Sequence, residues 1–415
     1  LGDVYKRQML HLPHSSLRSG QKLQLSGSKS ESNRALILQA LYPTLQIQNL
    51  STADDTLLLA KALQSNEEII DIHHAGTAMR FLTAYFAAQE GREVLLTGSS
   101  RMKERPIGVL VEALRQMGAD IRYAENDGFP PLYIRGKKLS AATVRTLGHL
   151  SSQYLSALLL IAPALPHGLH LQLVGKITSM PYLKMTLSFL SHCLGETYVK
   201  VSWPDIHIAP LGKAPLAHPY CEIESDWSSA SYGYSFIALS PIGTTLQLSS
   251  LKPNSLQGDS ALIQLYEPLG VKSTFVGNTL HLRKVAEAVP FLETDLNPTP
   301  DLAQTLAVTC LGLGIACHLT GLHTLKIKET DRLQALYNEM TKLGGTVHIS
   351  DDSLKLSAGA SLRTDITIHT YHDHRMAMAF APLMLKTSLN IEDEAVVSKS
   401  YPAFWEDVQK LQIKK

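Results

Sequence analysis

Pro106-Ile107-Gly108-Val109-Leu110-Val111-Glu112-Ala113-Leu114-Arg115-Gln116-Met117-Gly118, running on into Ala119-Asp120-Ile121-Arg122-Tyr123, contains the unit that decides the fold. An amphipathic helix closes on an apolar residue and a glycine, and a short strand follows at once. The same order recurs at residues 181–195 into 197–201, 258–270 into 271–275, and 330–344 into 346–349. The closing glycines, Gly118, Gly195, Gly270 and Gly344, are spaced by 77, 75 and 74 residues, too evenly for chance. Glycine suits this place because it adopts positive φ without a Cβ penalty, so the chain leaves the helix and turns into a strand. Less regular copies at 31–42 followed by 45–47, and at 403–411, bring the number to six, which divides into two halves of three.

Between these units the pattern alternates further helices (76–88, 153–162, 229–239, 302–312 and 374–385) with apolar strands such as 93–97 and 169–174. The fold class is therefore α/β. Thr320-Gly321 followed by Lys328-Glu329 echoes Thr97-Gly98 followed by Lys103-Glu104, each pair opening a helix, so the halves read as duplicates. A ligand cleft between duplicated halves is the natural expectation.

Composition narrows the function. The chain has 415 residues, enough for two domains with a core each. Its 38 Lys and Arg against 37 Asp and Glu give a net charge of +1, which argues against a general nucleic-acid binder, since those carry a basic excess. An anionic ligand must instead meet a locally basic pocket. The four cysteines, Cys193, Cys221, Cys310 and Cys317, make neither a disulfide framework nor a C-x-x-C pair, so a reducing, cytoplasmic setting without a zinc site is expected. The apolar stretches around 154–165 and 306–322 are too short or too interrupted to span a bilayer. Residues 1–8 fit neither helix nor strand periodicity and are set aside as extraneous.

Function is read from where the charges sit. Several helices open with hydroxyl or basic residues and then turn apolar, and helix N-termini attract anions through unpaired N–H groups and the positive dipole end. Ser26-Gly27-Ser28-Lys29-Ser30, with Arg34 one turn later, lacks the Gly-Lys-Ser/Thr ending of a P-loop, which excludes that nucleotide site. The plain reading is a serine cap with exposed Lys and Arg. Ser151-Ser152-Gln153 and Ser228-Ser229 also read as ordinary caps, and Gly76-Thr77 with Arg80 as a cap and a surface charge. Tyr371-His372-Asp373-His374-Arg375-Met376 sets three kinds of ionisable side chain before an apolar helix, without the further ligands a metal site needs. Lys328-Glu329-Thr330-Asp331-Arg332 reads either as a solvated first turn or as a carboxylate flanked by cations, suited to proton transfer. Tyr232, Tyr234 and Phe236 read as core or helix surface, not a base-stacking platform, and adjacent His73 and His74 face different ways.

Taken together, the motifs resemble the 5-enolpyruvylshikimate-3-phosphate synthase family of enolpyruvyl transferases. The matching residues run in order along the chain: Gly27-Ser28-Lys29-Ser30 with Ser32-Asn33-Arg34, Ala75-Gly76-Thr77-Ala78-Met79-Arg80, Arg101-Met102-Lys103-Glu104-Arg105-Pro106, Ser151-Ser152-Gln153-Tyr154-Leu155, Lys328-Glu329-Thr330-Asp331-Arg332-Leu333, Asp373-His374-Arg375-Met376-Ala377-Met378 and Lys399-Ser400-Tyr401-Pro402. The resemblance implies an inside-out α/β barrel fold of two similar domains, each of three βαβαββ units, closing like jaws. The first lobe would be residues 28–223 and the second 9–27 plus 224–415, hinged near 27–28 and 222–226.

The resemblance further implies that the enolpyruvyl group of phosphoenolpyruvate moves to the 5-hydroxyl of shikimate 3-phosphate, releasing phosphate through a tetrahedral intermediate. Carried over residue by residue, Lys29, Ser30, Arg34, Ser151, Ser152, Gln153, Ser179, Tyr182, Asp301 and Lys328 would hold shikimate 3-phosphate. Lys29, Gly76, Arg105, Gln153, Arg332, Arg375 and Lys399 would hold phosphoenolpyruvate, arginine forks being suited to carboxylate and phosphate oxygens. Asp301 would be the base toward the hydroxyl, Glu329 the acid toward carbon, and Lys29 a further proton-transfer group. No metal or organic cofactor is implied, and a monomer in the cytoplasm, free of nucleic acid and membrane, is expected.

The sequence departs from the family's commoner pattern at His74, Phe81, Met180 and Thr324, the first two bearing on the shape around phosphoenolpyruvate and on the response to glyphosate. The nearest rival is UDP-N-acetylglucosamine enolpyruvyl transferase, but the loop cysteine of that family is missing near 101–106. A non-catalytic anion-binding relative is the other alternative, and the joint presence of Asp301, Glu329 and Lys29 argues against it.

Overall fold

A computed structural model describes residues 9–414 apart from 141–142, 149–150, 176 and 178. The residues set aside from the sequence, 1–8, lie outside the described residues. The chain divides into two compact units, one formed by Gly27–Ile223 and the other by the chain up to Ser26 together with the chain from Glu224 onward. Gly27 thus groups with the first lobe and not the second. A Cβ there would lie 1.8 Å from the Asn49 carbonyl oxygen and 3.1 Å from Ile223 Cγ2, so the residue is packed into that unit and only glycine fits.

Within Gly27–Ile223, one four-stranded sheet has the spatial order Ile69–Asp71, Glu93–Thr97, Leu132–Arg135, Asp120–Tyr123. The first two strands are parallel, joined through the helix Gly76–Ala87; the other two pair antiparallel and are reached through the helix Gly108–Gln116. A second sheet repeats this order with Thr143–Leu147, Leu169–Val174, Asp205–Ile208 and Val199–Ser202, and with the helices Ser152–Ile161 and Met180–Leu194. A third, shortened copy pairs Gln46–Gln48 in parallel with Tyr220–Glu222 beside the helices Lys29–Leu41 and Asp54–Gln64. The helices meet in one core that includes Leu38, Leu82, Leu114, Leu158 and Leu190. Ser152–Ile161 is buried along nearly its whole length, as expected of a helix apolar all round.

The other unit repeats the plan. One sheet has the order Gln21–Leu23, Thr245–Leu248, Thr279–Lys284, Val271–Val276, and another Phe291–Asp295, Ala316–Thr320, Leu354–Leu356, Val347–Ile349. Its third copy sets Ile366–Ile368 parallel to Leu389–Glu392, with Met9–Leu12 antiparallel to the latter. All four closing glycines of the clear repeats have positive φ: +96° at Gly118, +99° at Gly195, +80° at Gly270 and +102° at Gly344. The sixfold repeat therefore corresponds to six strand–helix–strand–helix motifs, four complete and two truncated.

Some expectations change. The helix expected over 374–385 is α-helical only through His374–Phe380 and continues as 3₁₀ turns over Ala381–Leu385, because Pro382 has no N–H to donate. The unit at 258–270 splits into a 3₁₀ turn, Gly258–Ala261, and the helix Leu262–Tyr266. The helix Trp227–Ala238 is capped by Asp226, which accepts from Ser229 N at 2.7 Å, and not by the serine pair. Tyr232, Tyr234 and Phe236 are core residues. The four cysteines are free thiols, and no helix among the described residues is long and apolar enough to cross a membrane.

Candidate active site

In the Gly27–Ile223 unit the helix starts are lined with charge that is turned inward. Ser28 caps Lys29–Leu41, accepting from Glu31 N at 3.4 Å. Lys29 Nζ lies 3.1 Å from Asp55 Oδ2, with Asp55 almost fully buried. One turn on, Arg34 donates from Nε to Thr186 Oγ1 (2.7 Å), from Nη1 to the Ser30 carbonyl (2.7 Å), and from Nη2 to Ser156 Oγ and the Tyr182 carbonyl (both 3.2 Å). These bonds engage four of the roughly five donors a guanidinium has and leave one. The plain reading of Lys29 and Arg34 as exposed charges is overturned: Arg34 is only 3% exposed and clamps Ser30 and Tyr182 together. Burial lowers its pKa to about 10, with Tyr182 and Glu31 opposing, so it stays cationic at neutral pH. Phe81 is buried, its ring centroid 5.6 Å from the Arg34 guanidinium carbon.

A second polar group in this unit lies at the start of Gly76–Ala87. A Cβ on Gly76 would lie 2.5 Å from Arg105 Nη1, so the missing side chain is what lets that guanidinium approach the helix end. Arg80 is no surface charge either; it is buried and donates from Nη2 to the Pro106 carbonyl at 2.8 Å, and Tyr154 Oη donates to the same oxygen. Arg80 and Tyr154 thereby brace the loop that carries Arg105. Gln153 Nε2 donates to Thr77 Oγ1 at 3.1 Å, tying the Ser151-Ser152-Gln153 helix start to the Gly76 helix. Ser179, in the left-handed region at φ +50°, opens Met180–Leu194 and accepts from Tyr182 N.

The other unit holds a denser cluster of alternating charge centred on Arg332. Its Nε donates to Asp373 Oδ2 (2.7 Å), its Nη1 to Asp301 Oδ1 (2.8 Å) and its Nη2 to Glu329 Oε2 (2.9 Å). Asp301 also faces Lys328 at 3.4 Å and Arg375 at 3.2 Å, and Glu329 faces Lys399 at 3.0 Å. Three local features place these groups. Asp331 caps Arg332–Lys342, so Arg332 is its first residue and Glu329 stands before the helix. Asp373 caps His374–Phe380, fixing Arg375 in the first turn. The 3₁₀ turn Pro300–Leu302 presents Asp301 just before the helix Ala303–Leu313.

The electrostatics follow from this packing. Burial pushes the Asp301 carboxyl upward, but Lys328, Arg375 and Arg332 outweigh it and hold the group well below the ordinary carboxylate range, with Glu329 opposing. Burial works against the Arg332 charge, yet Asp373, Glu329 and Asp301 more than offset it, so its pKa is raised. Because Asp301 is depressed in the folded state, its pairing stabilises the protein above the unfolded carboxylate value near ~3.9 and is lost as pH falls through the lower folded value.

Of the residues named from the sequence, Ser30, Arg34, Tyr182 and Ser179 meet in the first unit, as do Gly76 and Arg105, while Lys29 meets Asp55 and Gln153 meets Thr77; in the other unit Asp301, Lys328, Glu329, Arg332, Arg375 and Lys399 form one cluster. Sequence reasoning missed Asp55, Thr77 and Asp373 as partners of Lys29, Gln153 and Arg332. Asp54-Asp55 carries no signal beyond the usual acidic first turn, whereas Asp373 stood in a motif already singled out. His372 is exposed and His374 buried, and among the described residues no group of three or more His, Cys, Asp or Glu is placed to hold a metal ion.

The fold is that of the enolpyruvyl transferases. A solved EPSP synthase from Acinetobacter baumannii superposes with a TM-score of 0.77 at 19% identity, covering 99% of both chains, and the enolpyruvyl transferase NikO from Streptomyces tendae with 0.72 at 13% identity, covering 98% of both. At such identities these likenesses speak to the fold. The sequence comparisons go further. A 3-phosphoshikimate 1-carboxyvinyltransferase from Bacteroides fragilis is 44% identical over 392 residues, 94% of each chain, and one from Haemophilus influenzae is 34% identical over 94% of this chain and 96% of its own. The profile of the EPSP synthase (3-phosphoshikimate 1-carboxyvinyltransferase) family matches residues 59–408. The chain belongs to the EPSP synthase family of enzymes.

Proposed function

We propose that the two clusters carry out the family's reaction, moving the carboxyvinyl group of phosphoenolpyruvate to the 5-hydroxyl of 3-phosphoshikimate with release of phosphate. The observation that carries this reading is Arg332, a guanidinium shared by Asp301, Glu329 and Asp373, which sets three carboxylates and four cations within one cluster. Ser30, Arg34, Ser151, Ser152, Gln153, Ser179 and Tyr182 hold shikimate 3-phosphate, joined by Lys29, Asp301 and Lys328. Arg34 acts chiefly by fixing Ser30 and Tyr182. Arg105, Arg332, Arg375 and Lys399, with Lys29, Gln153 and the N–H groups at Gly76, hold phosphoenolpyruvate, whose charge would be costly to bury without cations.

The charge pattern suggests how Asp301 becomes a base. Alone, it is held by three cations and is a weak one. When the carboxylate and phosphate of phosphoenolpyruvate share Arg332 and Arg375, those cations release part of their hold and the proton affinity of Asp301 rises. Asp301 then takes the 5-hydroxyl proton as the oxygen attacks C2 of phosphoenolpyruvate, and Glu329 delivers a proton to C3. In the tetrahedral adduct, Glu329 takes a proton back from the new methyl group, the C2–O bond to phosphate breaks, and the Asp301 proton leaves with the phosphate. The arginines and lysines offset the anionic charge in both steps. The rival acceptor, UDP-N-acetylglucosamine, loses to the family assignment. The enzyme acts as a monomer in the cytoplasm, where its phosphorylated substrates and free thiols belong.

The test is phosphate release. Phosphoenolpyruvate with shikimate 3-phosphate should give sustained release, and phosphoenolpyruvate with UDP-N-acetylglucosamine none; the reverse pattern removes the proposal. A narrower prediction concerns Gly76. Because a methyl group there meets Arg105 at 2.5 Å, Gly76→Ala should displace the guanidinium and raise the KM for phosphoenolpyruvate by roughly tenfold, about the value of one charged hydrogen bond, while the KM for shikimate 3-phosphate holds. Equal rises in both constants would show that the substitution acts elsewhere.

A further inference from the structure

Behind Arg375 lies a carboxylate that the reaction above does not use. Asp259, in the turn Gly258–Ala261, is 3% exposed. The Ser228 hydroxyl, in the first turn of Trp227–Ala238, donates to Asp259 Oδ2, and Ser228 Oγ in turn accepts from Arg375 Nη2 at 3.3 Å. On its other side Arg375 donates to the Asp301 carboxylate and the Asp301 carbonyl, both at 3.2 Å. The guanidinium is therefore gripped twice, by a reacting carboxylate and, through one hydroxyl, by a buried one.

We propose that Asp259, acting through Ser228, is a positioning residue that fixes Arg375 for phosphoenolpyruvate, an inference that rests on the assignment of Arg375 to that substrate. An ionised Asp259 accepts the hydrogen bond of the Ser228 O–H, so Ser228 keeps its proton and turns a lone pair to Arg375. A protonated Asp259 donates to Ser228 instead, competes for its lone pairs and turns the hydroxyl hydrogen toward the cation, which loosens the grip. The charged groups facing Asp259 are Arg375 from His374–Phe380, Asp301 from Pro300–Leu302 and Asp226 at the cap of Trp227–Ala238; its own turn adds none. Burial pushes Asp259 up to about 6, Arg375 and Ser228 pulling against it and Asp301 and Asp226 with it. The grip is thus complete above that pH and lost below it.

The experiment measures the KM for each substrate between pH 5 and 8 in the wild type, Ser228→Ala, Ser228→Thr and Asp259→Asn, with thermal unfolding as a check on folding. Ser228→Ala should raise the KM for phosphoenolpyruvate about tenfold and leave that for shikimate 3-phosphate unchanged, and Ser228→Thr, which keeps the hydroxyl, should restore it. Substrate phosphates titrate in the same range in every variant, so the readout is the difference from wild type. The extra rise in KM below pH 6 should disappear in both Asp259→Asn and Ser228→Ala. A wild-type KM and pH profile in Ser228→Ala overturns the inference, even if Asp259→Asn fails to fold. A wild-type enzyme with no turnover on these substrates overturns the functional reading instead.

Discussion

Glu329→Gln is expected to lower kcat by at least ~10²-fold and up to ~10⁴-fold, the range typical of a positioned proton donor. The substitution keeps the size of the side chain, and its one oxygen retains one of the two bonds that Glu329 now accepts, at Oε2 from Arg332 (2.9 Å) and at Oε1 from Lys399 (3.0 Å), while the amide NH2 replaces the other. What it removes is the proton delivered to carbon. Binding of shikimate 3-phosphate, measured by titration calorimetry, should therefore stay within about twofold of wild type, less than a weak hydrogen bond is worth. Unchanged turnover would take Glu329 out of the mechanism. Equal losses in turnover and acceptor affinity would mean that the variant had disturbed the site instead of its chemistry.

The second large effect is on stability. Arg332→Met should destabilise the protein by about 3–5 kcal/mol, because it strands Asp373, Asp301 and Glu329 in a buried setting without their shared cation. Asp373 has no exposure at all and would keep only the cap bond from Arg375 N and its weaker neighbours. The sign of the pH dependence separates this cause from lost packing. In the variant the stranded carboxylates titrate upward, so lowering the pH from 7 toward 5 should protonate them and narrow the gap to wild type. A gap that is constant with pH in urea titrations would point to packing instead, and a loss below about 1 kcal/mol would show that the carboxylates find other partners.

Much of the architecture was legible because periodicity is a property of sequence. Four glycines that must leave a helix at positive φ, at near-equal spacing, marked the repeat that the sheets then display. Details that depend on tertiary context were less legible. Pro382 shortens a helix whose apolar pattern runs on through Leu385, and Asp226 displaces the serine pair as a cap. The site was legible by type and not by partner. Arg34 and Arg80 read as surface charges until folding brought carbonyls and hydroxyls around them from distant segments such as Thr186 and Pro106. Nothing local to Asp259 or Asp55 distinguishes either from an ordinary helical carboxylate; only their contacts with Ser228 and Lys29 do.

The central claim is that the clusters transfer a carbon fragment and not a phosphoryl group, and the fate of one oxygen decides it. Phosphoenolpyruvate labelled with heavy oxygen at the bridge between C2 and phosphorus should be turned over with shikimate 3-phosphate and the released phosphate weighed by mass spectrometry. Addition and elimination break the C2–O bond, so the label should appear in inorganic phosphate. Label retained in a pyruvate product would mean P–O cleavage, and with it the assignment of Asp301, Glu329 and the surrounding cations to carboxyvinyl transfer would fall.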